Sequence, residues 1–223
     1  MPRIRDLIFP NFNSIEYFDK WLKETQGEDN FEEHVGFYDH IKKEFIEEMK
    51  SEYALDNNLE VNDVCELDSN FKKFYYKKEE KKVRDLAYDW YFERLADFSH
   101  ELEKVVEITD SGVVCFRSLL VDDLAEFTES LNQGKLIGNF EGIGTCWAWH
   151  EHKAEAHWGK GSIEVVLKGI IPFKYIEEES TMWLNLNPSL GREEAEIRVQ
   201  SGKAIEIISI NDAALSKPVK INS

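Results

Sequence analysis

Apolar residues in the first half of the chain return every three or four positions. Ile15, Phe18, Trp21 and Leu22 form one such stripe. Phe31, Val35, Tyr38, Ile41, Phe45 and Met49 form a second, with Glu and Lys between them, and Val83, Leu86, Ala87, Trp90, Leu95 and Phe98 form a third. This spacing puts each set on one face of an amphipathic helix. Between the second and third stripes, Asp56 to Asp68, with Asn57-Asn58, reads as a loop. The lysine pairs Lys72-Lys73, Lys77-Lys78 and Lys81-Lys82 are interrupted by Tyr75, Tyr76, Glu79 and Glu80. They read first as a solvated helix face, although a basic-aromatic patch also suits nucleic acid.

The pattern changes after Asp110-Ser111-Gly112. Val113 to Arg117 is a short β-rich run, and Ile163 to Ile171, Ala195 to Val199 and Ala204 to Ile210 are further strands, the last two divided by the turn signal Ser201-Gly202. Asp122-Asp123 opens a helix with Leu124, Phe127 and Leu131 on one face and Gly134 at its end. Helices first and strands later predict an α+β fold, with a helical region over 1–110 and a strand-rich domain over 111–223.

Composition narrows the class. At 223 residues with 42% hydrophobic and 32% charged residues, the chain is long enough to bury a core and too apolar to be disordered. Three widely spaced cysteines, Cys65, Cys115 and Cys146, build no disulfide framework and point to a reducing compartment. No apolar run spans a bilayer and no signal peptide opens the chain, so it reads as soluble and cytoplasmic. A net charge of -17 opposes general binding to nucleic acid.

Three stretches carry candidate chemistry. Arg117 ends an apolar strand, where a guanidinium either grips a phosphate through paired hydrogen bonds or forms a structural ion pair. Gly142 to Trp149 combines small residues, which let a ligand approach the backbone, with two indoles that stack on a base or fill the core. Glu194 and Glu196 are two apart on a strand start and share a face, as a pair of catalytic carboxylates would. His150, His152 and His157 near Cys146 match no zinc spacing, and no metal is expected.

In this order the pieces resemble the arginine–serine–glutamate class of mono-ADP-ribosyltransferases, a group with bacterial toxin, bacteriophage and vertebrate members. The resemblance covers about Val113 to Ile210. It comprises the strand ending in Arg117, the Leu131 to Gly134 helix end and the tryptophan strand followed by a helix with Ala154. The run Glu164 to Gly169 and the loop entering Glu194-x-Glu196 complete it. It implies an ADP-ribosyltransferase-like split β-sandwich and NAD as substrate. By resemblance, Glu196 is the catalytic glutamate, Glu194 selects the acceptor, and Arg117 holds the NAD phosphates or ribose. Thr145 stands in for the orienting serine, and Trp147 and Trp149 belong to the nucleotide pocket. Asn185 to Glu193 is the acceptor-presenting loop, contacted through Trp183 or Pro188, and the acceptor is most simply a protein arginine. The family's Ser-Thr-Ser motif is replaced here by Thr145-Cys146-Trp147-Ala148. The same resemblance leaves room for an NAD glycohydrolase, a nucleic-acid acceptor or an inactive binding module. The helical region is left to cover the cleft, recognise the acceptor, or bind an antitoxin or other regulatory partner. All of this requires Arg117 and Glu196 to converge on one cleft.

Overall fold

The computed structural model describes residues 4–11, 14–134, 144–154, 161–187 and 195–223. The fold is α+β, and the chain divides into two compact units, Phe18–Leu95 and a second made of Met1–Tyr17 with Ala96–Ser223. The expected boundary at residue 110 lies inside the second of these. No described helix is long and apolar enough to cross a membrane.

The helical unit contains α2 (Ile15–Thr25) from Phe18 onward, α3 (Phe31–His34), α4 (Asp39–Asn57) and the part of α5 (Ser69–Val105) up to Leu95. The expected stripes supply its core. Phe18, Trp21, Leu22, Phe31, Val35, Phe45 and Met49 are buried together with Phe71, Ala87, Tyr91 and Leu95. Trp21 stacks on Trp90 at 5.2 Å between centroids. Ile15 and Tyr38 are exposed instead. The lysine-rich run and the third stripe belong to one 37-residue helix. Asp68 starts it, its Oδ1 accepting from the backbone N–H of Asn70 and Phe71. Lys73, Lys77, Lys81 and Lys82 are exposed on α5, and Lys78 pairs with Glu52.

The other unit is built on one antiparallel sheet of seven strands: β1 (Ile108–Thr109), β2 (Gly112–Val121), β3 (Cys146–Ala148), β4 (Ile163–Ile171), β5 (Glu196–Arg198), β6 (Ala204–Ile210) and β7 (Ala213–Asn222). The order is β5-β3-β2-β4-β6-β7, with β1 also pairing β2. α1 (Ile4–Ile8), α6 (Leu124–Asn132) and α7 (Glu178–Leu186) complete the unit. Val113, Cys115, Arg117 and Leu119 pair with Ile171, Gly169, Leu167 and Val165, so Arg117 alternates onto the face where buried aliphatics lie. Asp123 caps α6, accepting from the N–H of Ala125 and Glu126. Phe9 lies 5.3 Å from Phe98, and Phe98 lies 5.0 Å from Trp149, tying the start of the chain to β3 through the end of α5.

Three expectations need correction here. Arg117 does not end a strand but sits within β2, which runs on to Val121. The helix containing Ala154 is a short 3-10 turn, Glu151–Lys153, with Ala154 just beyond it. Asn185 is the buried penultimate residue of α7 rather than part of a loop. Its amide donates to Thr181 O and Glu196 O. Trp183 is also in α7, while Pro188 to Glu193 lie outside the described residues.

Candidate functional site

β3 is short and lies next to the edge strand β5, and the described residues among the expected site gather around it. On its outer side, β3 pairs with β5 through Cys146↔Arg198, Trp147↔Ile197 and Ala148↔Glu196. The open edge of β5 is closed by polar side chains of α7: Thr181 Oγ1 accepts from the Arg198 N–H at 3.0 Å, and Asn185 donates to Glu196 O at 2.8 Å. An edge strand normally leaves such groups to water or to another chain. Here they fix the position of Glu196.

On its inner side, β3 meets β2 through the single pair Phe116↔Ala148. Where the ladder stops, the Arg117 guanidinium takes over and donates through Nη1 to the Cys146 carbonyl. Gly144, at φ 87°, makes this possible, since a Cβ there would stand 2.5 Å from Arg117 Nη2. Trp147 Nε1 donates to Gly144 O at 3.1 Å, bracing the same turn. Burial pulls the Arg117 guanidinium below the usual arginine range, Cys146 and Glu196 offset that, and Arg198 adds to it.

Glu196 keeps 12% of its side-chain surface exposed, and Arg198, two residues on and therefore on the same face, places Nη2 3.2 Å from Glu196 Oε1. The contact is an ion pair without hydrogen-bond alignment, so the buried Oε1 has no hydrogen-bond donor among the described residues. Arg198 Nη1 also lies 3.4 Å from Thr145 Oγ1. The Cys146 thiol completes the group, its pKa raised by burial and by the Glu196 carboxylate. Arg117 Nε is the second buried polar atom of this cluster with no hydrogen-bond partner among the described residues.

The structure thus brings Arg117 on β2, Thr145 just before β3 and Glu196 on β5 to neighbouring strands. It also fixes their phase. Phe116, Ala148 and Glu196 share one face of the sheet, while Arg117 leaves β2 from the other. The two charged groups approach each other at Cys146, one from each side of β3, close enough for the carboxylate to stabilise the guanidinium. Glu194 lies outside the described residues. Trp147 and Trp149 depart from the stacking role expected of them, being 1% and 2% exposed. The ring of Trp149 is occupied by Phe98. Arg198, to which no role was assigned from the sequence, is the cluster's second cation, and its cue is the two-residue step from Glu196.

His150 and His152 have ring centroids 4.9 Å apart. Among the described residues no three His, Cys, Asp or Glu side chains gather as a metal site requires. His157 lies outside the described residues. Comparisons with protein-family models, curated proteins and solved structures gave no match.

Proposed function

We propose that the β5–β3–β2 cluster is an NAD-cleaving site and that the protein is a mono-ADP-ribosyltransferase whose simplest acceptor is a protein arginine. Reading the seven-stranded sheet as the split β-sandwich core of that family is part of the same proposal. The observation that carries it is Glu196: a buried carboxylate held through its backbone by α7, with one oxygen lacking any hydrogen-bond donor among the described residues.

Nicotinamide is already cationic in NAD, so its departure needs little acid catalysis. The site must instead stabilise positive charge developing on the ribose, and a fixed, poorly solvated carboxylate does this. Glu196 Oε1 accepts a ribose hydroxyl, Arg117 supplies a guanidinium to a phosphate oxygen, and the Thr145 hydroxyl helps orient the group. The two buried atoms without hydrogen-bond partners among the described residues fit such a ligand, Glu196 Oε1 taking a donor and Arg117 Nε an acceptor. The buried indoles do not fit base stacking, and no step is assigned to them.

Incubation with labelled NAD and cell lysate is expected to label a protein band, and Glu196→Gln to lower the rate by about 100- to 1000-fold. An equally active Glu196→Gln protein refutes the assignment. Free ADP-ribose with no labelled acceptor makes the activity glycohydrolysis, and a nuclease-sensitive label makes the acceptor a nucleic acid.

One observation favours a second reading. Arg117 already bonds Cys146 O and Arg198 already faces Glu196, so the cluster can serve as the structural centre of a binding module. A melting temperature unmoved by millimolar NAD supports that reading over catalysis.

A further inference from the structure

We propose that the tip of the helical unit, where α4 turns into α5, is a docking surface for a basic amphipathic helix of a partner protein. Every residue from 55 to 70 is exposed except Val64. Leu55 is 79% exposed, Leu67 78%, Leu59 47% and Val61 41%. Four large aliphatics open to solvent within thirteen residues form an interaction patch rather than the scattered exposure normal to any surface.

Local structure accounts for only part of this. α4 ends with Asn58 in the left-handed conformation, φ 54°. The Leu59 N–H then bonds Ala54 O at 2.9 Å and the Asn58 N–H bonds Leu55 O at 3.4 Å. A helix end of this kind commonly brings an apolar residue at the Leu59 position against the last turn. It asks nothing of Leu55 or Leu67. Nor is the tip a loose loop. Lys50 reaches Glu66 at 2.5 Å, Asp68 caps α5, and Val64 is buried. A surface held in one shape loses little entropy when it is covered.

The charges define the occupant. Between Lys50 and Lys72 the chain carries six carboxylates and no Lys, Arg or His. Glu52, Glu66 and Asp68 are engaged with Lys78, Lys50 and the α5 backbone. Asp56, Glu60 and Asp63 make no ion pair among the described residues and stand between the leucines. An apolar patch with a carboxylate rim complements a helix with leucine-type residues on one face and Lys or Arg beside them. Nucleic acid is repelled by the same carboxylates, and two copies meeting tip to tip bring like charges together.

The test is a titration of the isotope-labelled full chain, followed by amide NMR in about 0.15 M salt. The probe is a synthetic Leu/Lys peptide of about 18 residues patterned at the helical period, against a scrambled peptide of identical composition. Saturable shifts confined to residues near 54–70 are expected for the patterned peptide. Leu55→Ser with Leu67→Ser, both surface changes, is expected to weaken it at least about tenfold. Asp56→Asn with Asp63→Asn is expected to weaken it and flatten its salt dependence. No saturable binding, equal binding of the scrambled peptide, shifts located elsewhere, or leucine variants that bind unchanged would each overturn the proposal. So would a concentration-dependent dimer in sedimentation that the leucine variants abolish, since the occupant is then a second copy of the chain.

Discussion

Substituting Gly144 by alanine tests the packing of the Arg117 cluster directly. Gly144 sits at φ 87°, where a residue with a Cβ is strained by roughly 1–2 kcal/mol. The new methyl would also stand 2.5 Å from Arg117 Nη2 and 2.9 Å from Cζ. The guanidinium must retreat, and retreat breaks its bond to the Cys146 carbonyl. A hydrogen bond from a charged donor contributes about 1.5–3 kcal/mol. The lower end applies to this half-buried side chain, so the total is about 3 kcal/mol. For a chain of this size that lowers the melting temperature by about 6–12 °C. Urea unfolding followed by near-ultraviolet circular dichroism measures the change, in the wild type and again in an Arg117→Met background. Without the guanidinium only backbone strain remains, so the cost of Gly144→Ala is expected to fall to about 1–2 kcal/mol, leaving a coupling of about 1.5 kcal/mol. Equal costs in the two backgrounds would show that Arg117 does not lie against Gly144. No cost in either would show that the turn is not left-handed.

The three thiols are expected to separate cleanly. Cys65 is exposed, whereas Cys115 is buried and Cys146 half-buried, and burial pushes both of the latter up. Iodoacetamide at neutral pH should therefore add once, at Cys65, with two further additions only in denaturant, as read by intact mass. Rapid triple modification of the folded chain refutes the burial. Because Cys115 and Cys146 hold their protons above the ordinary value of 9.0 in the folded chain, their contribution to stability is complete below that pH and is lost as pH rises through the folded values. Cys146→Ser should flatten the alkaline fall in stability. Asp123→Ala removes the cap of α6 and should cost about 1 kcal/mol in urea unfolding, with Asp123→Asn close to neutral.

Much of the fold was legible because burial repeats with the period of each element. The stripes through Phe18, Phe45 and Leu95 marked real helices, and the run from Ile163 to Ile171 was a strand along its whole length. What escaped was structure not driven by apolar spacing. Lys72 to Lys82 read correctly as a solvated helix face, but lysine and glutamate leave so weak an apolar stripe that the continuity of this run with the third stripe in one 37-residue helix was not visible. β7 carries Pro218 and only Val219 and Ile221 as buried positions, so its pattern is faint. Its cue was the Asn211-Asp212 pair, both at positive φ, which closes a two-residue hairpin. α7 was not read from the sequence, since Thr181 and Asn185 interrupt its apolar pattern, and these polar side chains serve the open edge of β5. At the site, residue type and order singled out Arg117 and Glu196, which the fold carries on β2 and β5, either side of β3. The phase between them was not readable, because a strand's register against its neighbours depends on pairing that no single-strand pattern encodes.

That phase decides what a ligand of the cluster must look like. Arg117 and Glu196 leave the sheet on opposite faces and meet only at the edge of β3, because β2 and β3 share one rung and then part. The guanidinium commits Nη1 to the Cys146 carbonyl, and its Nε–H is buried without an acceptor among the described residues. Glu196 faces Arg198, and its Oε1 is buried without an aligned donor. Burying a polar atom without a hydrogen bond costs about 1–3 kcal/mol, offset in part at Glu196 by the Arg198 ion pair, so a ligand that hydrogen-bonds both atoms gains over one that bonds neither. It must bring an acceptor toward β2 and a donor toward β5. A phosphate oxygen and a ribose hydroxyl on one molecule have that polarity. A ligand that is anionic throughout satisfies Arg117 and is repelled by Glu196, so under the proposed function inorganic phosphate or pyrophosphate alone is expected to compete poorly with NAD.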